Sequence, residues 1–195
     1  MSSSLDRKKR CSWVENTFQQ YVDYHDREWG VPVHDDRIHF EFLILESAQA
    51  GLSWSTILKK REAYREAFAD FDPEAVAQFG EEDVIRLMNN EGIVRYDKKI
   101  RSAIWNAQAF LKIQQQFGSY DSYIWAFVDH RPIVNAPESI RDVPAKTELS
   151  DKIAREMKKR GFSFLGSTTI YAYLQACGLV NDHTKGCFRY GELTS

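Results

Sequence analysis

The segment from Asp36 to Ala50 constrains the fold more than any other part of the chain. Phe42, Leu45 and Gln49 fall on one helical stripe, and Phe40, Leu43, Ser47 and Ala50 fall on another. A helix that is apolar over so much of its surface is stable only when other elements surround it. The 195-residue chain is long enough to supply them within one domain. It is 43% hydrophobic and 13% aromatic, with only 10 Gly and 5 Pro, which excludes a disordered chain. The longest apolar runs, such as Phe42-Leu43-Ile44-Leu45, are far short of the roughly 20 residues a membrane-spanning helix needs.

The surrounding elements read as helices too, so the expected architecture is mainly α. Gly51 ends the apolar helix, and Ser53 fits the N-cap of the next, through Trp54, Ile57, Leu58 and Arg61. Asp72-Pro73 opens a short helix through Phe79, Gly80 breaks it, and Glu81 to Asn89 forms another. A long helix follows to about Gln116, with the stripe Ile100, Ala103, Ile104, Ala107, Phe110 and Leu111. Tyr120 to Val128, Ser150 to Arg160 and Ser167 to Cys177 are further helices, the last two stopped by Gly161 and Gly178. His130 to Thr147 holds three of the prolines and reads as a long loop. Val31-Pro32-Val33 and Pro132-Ile133-Val134 alone look extended.

Residues 1–10 are polar and basic and read as a flexible tail, with no apolar stretch of a secretory signal behind them. Residues 11–195 read as one domain of two helical lobes. Three cysteines do not make a disulfide scaffold, so the expected compartment is the reducing cytoplasm. The net charge of −2 gives no global sign of a nucleic-acid binder. Locally, Lys152, Arg155, Lys158, Lys159 and Arg160 stand against Glu156 alone, and Arg95, Lys98, Lys99 and Arg101 against Asp97. Such runs are either solvated helix surface or one basic face.

Four constellations can carry chemistry. A short amphipathic helix, the turn around Gly92 and a basic helix outline a helix-hairpin-helix over residues 82–106. Gly92 would allow a tight turn, backbone N–H groups there and at the start of the next helix would face a phosphate, and Ile93 would anchor the hairpin in the core. Any αα-hairpin can carry such a glycine, so the plain reading stands beside the DNA-binding one. Cys11 and His25 near one end, with His183 and Cys187 near the other, are the donor types of a closed tetrahedral zinc site. The other reading makes them ordinary cysteines and surface histidines. Cys177, inside an apolar helix, reads as a small core residue.

Glu46 shares the side of Phe42 and Gln49-Ala50 on the apolar helix. A buried carboxylate there costs several kcal/mol unless something pairs with it; the alternative is a helix-edge Glu reaching water. Tyr21, Tyr24 and Trp29 flank His25, Trp13 follows Cys11, and Trp54 opens the helix after Glu46. Core packing is the default for such rings. A flat ring beside a buried carboxylate is also what a base pocket needs.

Longer strings tie these constellations together. Arg10-Cys11-Ser12-Trp13, Tyr24-His25-Asp26-Arg27-Glu28-Trp29-Gly30-Val31-Pro32 and Leu45-Glu46-Ser47-Ala48-Gln49-Ala50-Gly51-Leu52-Ser53-Trp54 come first. Gly92-Ile93-Val94-Arg95, Lys158-Lys159-Arg160-Gly161-Phe162 and Gln175-Ala176-Cys177-Gly178-Leu179-Val180-Asn181-Asp182-His183 follow in the same order. Across roughly residues 10–187 the sequence resembles the DNA-3-methyladenine glycosylase I family, the constitutive bacterial 3-methyladenine excision enzymes. It departs at Ser12, where the family often has Gly, and at Glu15-Asn16-Thr17-Phe18-Gln19, where the family often has Asp-Pro.

The resemblance implies a helix-hairpin-helix glycosylase fold. It implies one structural zinc per chain, joining the chain ends through Cys11, His25, His183 and Cys187. It places an extruded base against Trp54, with Glu46 bonding the adenine edge and Tyr24, Tyr21 and Trp29 forming the wall. Gln49 to Leu52, including Gly51, would fill the gap left by the flipped nucleotide, while Gly92, Lys98 and Lys159 would hold the DNA backbone. The activity implied is hydrolysis of the N-glycosidic bond of 3-methyladenine in alkylated double-stranded DNA, releasing the free base. The activating Asp that many helix-hairpin-helix glycosylases carry has no counterpart here, since Asp97 falls within the hairpin and reads as structural. No lysine stands out as a Schiff-base nucleophile, so a monofunctional, monomeric enzyme is expected. The rival reading is a zinc-stapled DNA-binding module without catalysis.

Overall fold

The computed structural model describes residues 8–194. Ten α-helices among these residues form the body: α1 (Gln19–Arg27), α2 (Asp36–Gln49), α3 (Trp54–Ala67), α4 (Pro73–Ala77), α5 (Glu81–Met88), α6 (Asp97–Phe117), α7 (Tyr120–Trp125), α8 (Glu148–Lys159), α9 (Ser167–Ala176) and α10 (Phe188–Thr194). The apolar helix, α2, lies in the middle, with every residue from His39 to Ala48 buried. It packs against α3, α6, α7 and α9. The Asp35 carboxylate caps it by accepting from the N–H groups of Arg37 and Ile38.

The caps expected from the sequence are formed. Ser53 Oγ accepts from Thr56 N at the start of α3, and Asp72 accepts from Glu74 N and Ala75 N with Pro73 in the first turn of α4. Gly51 takes φ +83° just beyond α2, a conformation that a Cβ disfavours. The helix at Tyr120 ends earlier than expected, at Trp125, and passes into a 3-10 turn at Ala126–Val128.

Three differences from the sequence expectations stand out. The segment Gln19–Arg27 is helical, and so is Phe188–Thr194, although neither shows a long apolar stripe. Val31-Pro32-Val33 forms no strand; its role is to run alongside α9, with Val33 N donating to Cys177 O. Of the two extended-looking pieces, only Ile133–Val134 becomes a strand (β1), paired in parallel with Val180–Asn181 (β2). The tail expectation falls mostly on residues 1–7, which lie outside the described residues. Arg10 is held, its guanidinium bonding both oxygens of Asp26 at 2.7–3.0 Å.

The hairpin between α5 and α6 seats on α3. Ile93 is buried, and Val94 N donates to Tyr64 Oη at 3.1 Å. Gly92 is required by close approach, not by a left-handed turn: a Cβ there would lie 2.6 Å from the Ala63 Cβ. The Gly92 N–H, expected to face outward, donates to Asn90 Oδ1 at 2.8 Å. Asp97 pairs with Arg101 one turn on, as a structural residue should.

Candidate base pocket and metal centre

The end of α1, the last turns of α2, the first turn of α3 and one face of α9 enclose a cavity of about 360 Å³. Glu46, Trp54, Tyr24, Tyr21 and Trp29 all line it, so the structure brings together the five residues the sequence singled out. Trp54 sits there because Ser53 starts α3 at the cavity's edge. Its ring lies 5.3 Å from Tyr24 and 6.4 Å from Phe42, centre to centre, and nearly parallel to the latter. Trp13 closes one side, packed edge-on against Trp29 at 5.1 Å.

Glu46 is 4% exposed, which overturns the reading of a helix-edge carboxylate in water. Its Oε2 is buried with no hydrogen-bond partner, and the same holds for Trp54 Nε1. Orphaned buried polar atoms are costly, and both residues line one cavity, which marks it as the place where a ligand would engage them. Burial in apolar surroundings pushes the Glu46 pKa up to about 8. Burial therefore favours the protonated form of this group. A cationic guest would draw the group toward its ionised form.

The far wall was not legible in the sequence. Tyr171, Gln175, Thr168 and Ala172 come from α9, and Ile140, Val143, Pro144 and Ala145 from the loop before α8. Behind the wall, Asp182 is buried and fully engaged. It accepts from Tyr171 Oη at 2.6 Å, Gln175 Nε2 at 2.7 Å and Asn135 Nδ2 at 2.7 Å. The signals for this wall were the helical spacing of Thr168, Tyr171, Ala172 and Gln175 on one face of α9 and the place of Gln175 and Asp182 in one of the family strings, neither of which assigned them a role.

Cys11, His25, His183 and Cys187 are all buried, with their donor atoms within 4.8 Å of one another. Sulfur–nitrogen separations are 3.4 Å (Cys187 to His25) and 3.5 Å (Cys11 and Cys187 to His183). A tetrahedron with zinc-like bond lengths has edges of about 3.6 Å. Each imidazole aims one nitrogen inward and anchors the other: His25 Nδ1 on Asp26 at 2.8 Å and His183 Nε2 on Trp29 O at 2.9 Å. That outer shell is the usual support of a metal-bound histidine. The cluster could therefore hold a metal ion, and the reading of surface histidines is overturned. The departures at Ser12 and residues 15–19 form a 3-10 turn (Ser12–Val14) and a bend at Asn16, and they leave Cys11 in the cluster.

The cluster and the pocket share a wall, since the Trp29 ring lies 4.6 Å from His183 on one side and lines the cavity on the other. Around the mouth, Gly51 and Leu52 are exposed beside Thr168 and Thr169. Lys98 is exposed at the start of α6. Lys159 is exposed and bonded to Glu156 at 2.8 Å, while Arg160 stacks on Phe117.

An aromatic slot lined by an incompletely partnered acid, sharing a wall with a buried two-Cys, two-His cluster, has the shape and chemistry to take a flat, polar ring. Comparison with known proteins agrees. The model of the methyladenine glycosylase family matches residues 13–190. The chain is 47% identical over 182 residues to DNA-3-methyladenine glycosylase 1 of Escherichia coli (strain K12), which covers 93% of this chain and 97% of that one. A crystal structure of 3-methyladenine DNA glycosylase I superimposes with a TM-score of 0.89 at 49% identity, covering 92% of this chain and 98% of the other. A variant of 3-methyladenine DNA glycosylase I in complex with 3-methyladenine gives 0.89 at 40% identity, covering 92% and 96%. The chain belongs to the methyladenine glycosylase family.

Proposed function

We propose that this protein excises 3-methyladenine from alkylated double-stranded DNA, as a monofunctional base excision repair glycosylase. The observation that carries the reading is the buried, incompletely partnered Glu46 carboxylate that lines an aromatic cavity. Methylation at N3 makes the adenine of the nucleotide cationic and weakens its glycosidic bond, so the base leaves readily. The protein's task is then to unstack, orient and discriminate. Trp54 offers the stacking surface. Glu46 accepts from the exocyclic amine, and its negative form complements the cation. Tyr24, Tyr21 and Trp29 exclude water from the ring edges. Hydrolysis leaves an abasic site in an unbroken strand and releases neutral 3-methyladenine.

Gly51 and Leu52, exposed at the mouth, stand where a loop would enter the gap left by the flipped nucleotide. The α5–α6 hairpin serves as a helix-hairpin-helix, with Gly92 shaping the turn. Since the N–H groups of Gly92, Ile93 and Val94 are engaged within the protein, the phosphate would meet Lys98 and the first turn of α6. Lys159 adds charge farther along. The incompletely partnered Glu46 and Trp54 that line the pocket favour excision over a DNA-binding module without catalysis.

Zinc is the metal that the donor set favours at Cys11, His25, His183 and Cys187, one ion per chain. Four protein ligands leave no open position for water, so the ion would be structural and tie the two chain ends under Trp29. The protein acts as a monomer in the cytoplasm on this reading. No described helix is long and apolar enough to cross a membrane.

The test is chromatography of bases released from methylated duplex DNA, with a strand-cleavage gel alongside and metal analysis of protein purified without chelator. Free 3-methyladenine, an intact strand and one zinc per chain are expected. No released 3-methyladenine overturns the activity; a nicked strand without heat or alkali overturns the monofunctional reading; absence of zinc overturns the metal.

A further inference from the structure

The basic run at the start of α6 does not act as a unit. Lys98 is exposed, whereas Lys99 is half-buried and turned back into the protein. Its Nζ donates to Ala48 O at 2.9 Å and to Ala50 O at 2.6 Å. Lys99 lines a narrow cleft together with Ile44, Ala48, Tyr64 and Val94. These carbonyls are at the C-terminal end of α2, where intrahelical partners run out and the helix dipole is negative. One ammonium therefore caps the helix that carries Glu46, within two residues of it.

The place of that cap matters as much as its chemistry. Just beyond Ala50 the chain turns at Gly51 and exposes Leu52, with Leu52 N closing the turn on Gln49 O at 2.6 Å. On the other side, Lys99 follows directly on the hairpin, which is fixed to α3 through Val94 N–Tyr64 Oη and Lys60 Nζ–Glu91 O at 2.8 Å. Lys99 is thus the polar strut between the hairpin and the loop at the pocket mouth.

We infer that Lys99 is a positioning residue: it sets the Gln49–Leu52 loop relative to the α5–α6 hairpin, so that a duplex held at the hairpin delivers its flipped base to the Trp54 and Glu46 pocket. The inference rests on the proposed function. It separates Lys99 from Lys98, its neighbour, which has no such internal role. Touching neither base nor phosphate, Lys99 would govern excision from DNA while leaving capture of the free base alone.

The experiment uses Lys99→Met, which keeps an apolar stem and removes the ammonium, and Lys99→Arg, whose guanidinium still reaches carbonyls. Single-turnover release of 3-methyladenine from methylated duplex should fall about tenfold or more in Lys99→Met. Affinity for free 3-methyladenine, read from tryptophan fluorescence, and affinity for undamaged duplex should stay within about twofold. Lys99→Arg should recover most of the release. In a Leu52→Ala background the loss from Lys99→Met should shrink, because both act through one loop. Should Lys99→Met not fold, Lys99→Gln, which reaches one carbonyl at most, carries the same expectation.

Unchanged release in Lys99→Met overturns the inference. A parallel fall in free-base affinity makes Lys99 merely structural and also overturns it. So does a parallel fall in undamaged-duplex affinity with a shallower salt dependence, which would make Lys99 a phosphate contact. A wild-type protein that releases no 3-methyladenine overturns the proposed function, and this inference with it.

Discussion

Glu41 and Glu46 stand on the same buried helix, each 4% exposed, and the fold treats them in opposite ways. Glu41 Oε1 takes Arg61 Nε at 2.7 Å and Arg65 Nη2 at 3.0 Å, and Arg61 reaches on to Glu28 at 2.7 Å. That network joins α2 to α3 and to the residue after α1. Glu46 has no such partner for Oε2, and burial alone pushes its pKa up to about 8. A buried carboxylate that holds the structure together is satisfied by the structure. One that serves a ligand is left open, at a cost to stability that the guest relieves.

The largest effect follows from breaking the satisfied carboxylate. Arg61→Met leaves Glu41 buried beside Arg65 alone, and should destabilise the fold by up to about 3–5 kcal/mol, the limit set by an uncompensated buried charge. Denaturant unfolding measures it. A loss under about 1 kcal/mol would mean that Arg65 and water suffice for Glu41 and that the contrast with Glu46 is overstated.

The contrast also bears on what a sequence can disclose. Glu46 is legible because a carboxylate amid Phe42, Leu43, Ile44 and Leu45 violates the apolar pattern. Glu41 sits in the same run, but its need for Arg61 and Arg65 depends on how α3 packs, which no local pattern states. The cap residues Ser53 and Asp72 are legible because capping is local. The four Cys and His ligand types are legible as types, yet their convergence from opposite chain ends is a tertiary fact, supplied beforehand only by family resemblance. The α9 wall and Asp182 escape notice for the same reason: Tyr171 and Gln175 read as ordinary helix residues until the fold turns them toward the cavity. Lys99 is hidden in another way: within a basic run it reads as one more surface or basic-face charge, and its bonds to Ala48 O and Ala50 O depend on how α6 packs on α2.

The second effect is on the pH dependence of stability. The folded protein holds the Glu46 proton up to about pH 8. The unfolded chain gives it up near pH 4.5, the ordinary value. Between these values the unfolded state binds fewer protons, so this group lowers stability as pH rises through the window, by a few kcal/mol in all. Glu46→Gln removes that contribution. Its stability advantage over wild type should grow from pH 4.5 to 8 and level off above, as read from unfolding curves at each pH. A constant difference would show that water or a neighbour satisfies Glu46 after all.

Third comes the pocket itself. Glu46→Ala should weaken capture of free 3-methyladenine by about 1–3 kcal/mol, the scale of leaving the bound amine without its acceptor. Trp54→Ala should cost about the same through lost stacking. Fluorescence or calorimetric titration measures both. Affinity for undamaged duplex should remain, because phosphate contacts govern that quantity. If either variant loses both affinities together, Glu46 and Trp54 belong with Glu41 as residues of the framework.

The smallest effect extends the comparison to the basic side chains. A cation with an internal partner has less to offer a phosphate than one without. Lys99 is bound to two carbonyls, Lys159 is bound to Glu156, and Lys98 has no hydrogen bond or ion pair to a described residue. If Lys98 meets one phosphate, Lys98→Gln should lower the slope of log affinity against log salt by about 0.9, uniformly across duplex sequences. Lys159→Gln should lower it by less, because an ammonium already paired with Glu156 neutralises less phosphate charge and releases fewer counterions. The readout is binding to undamaged duplex at several salt concentrations. A larger slope change for Lys159 than for Lys98 would place the DNA along α8 and show that internal pairing does not decide which charges the duplex uses.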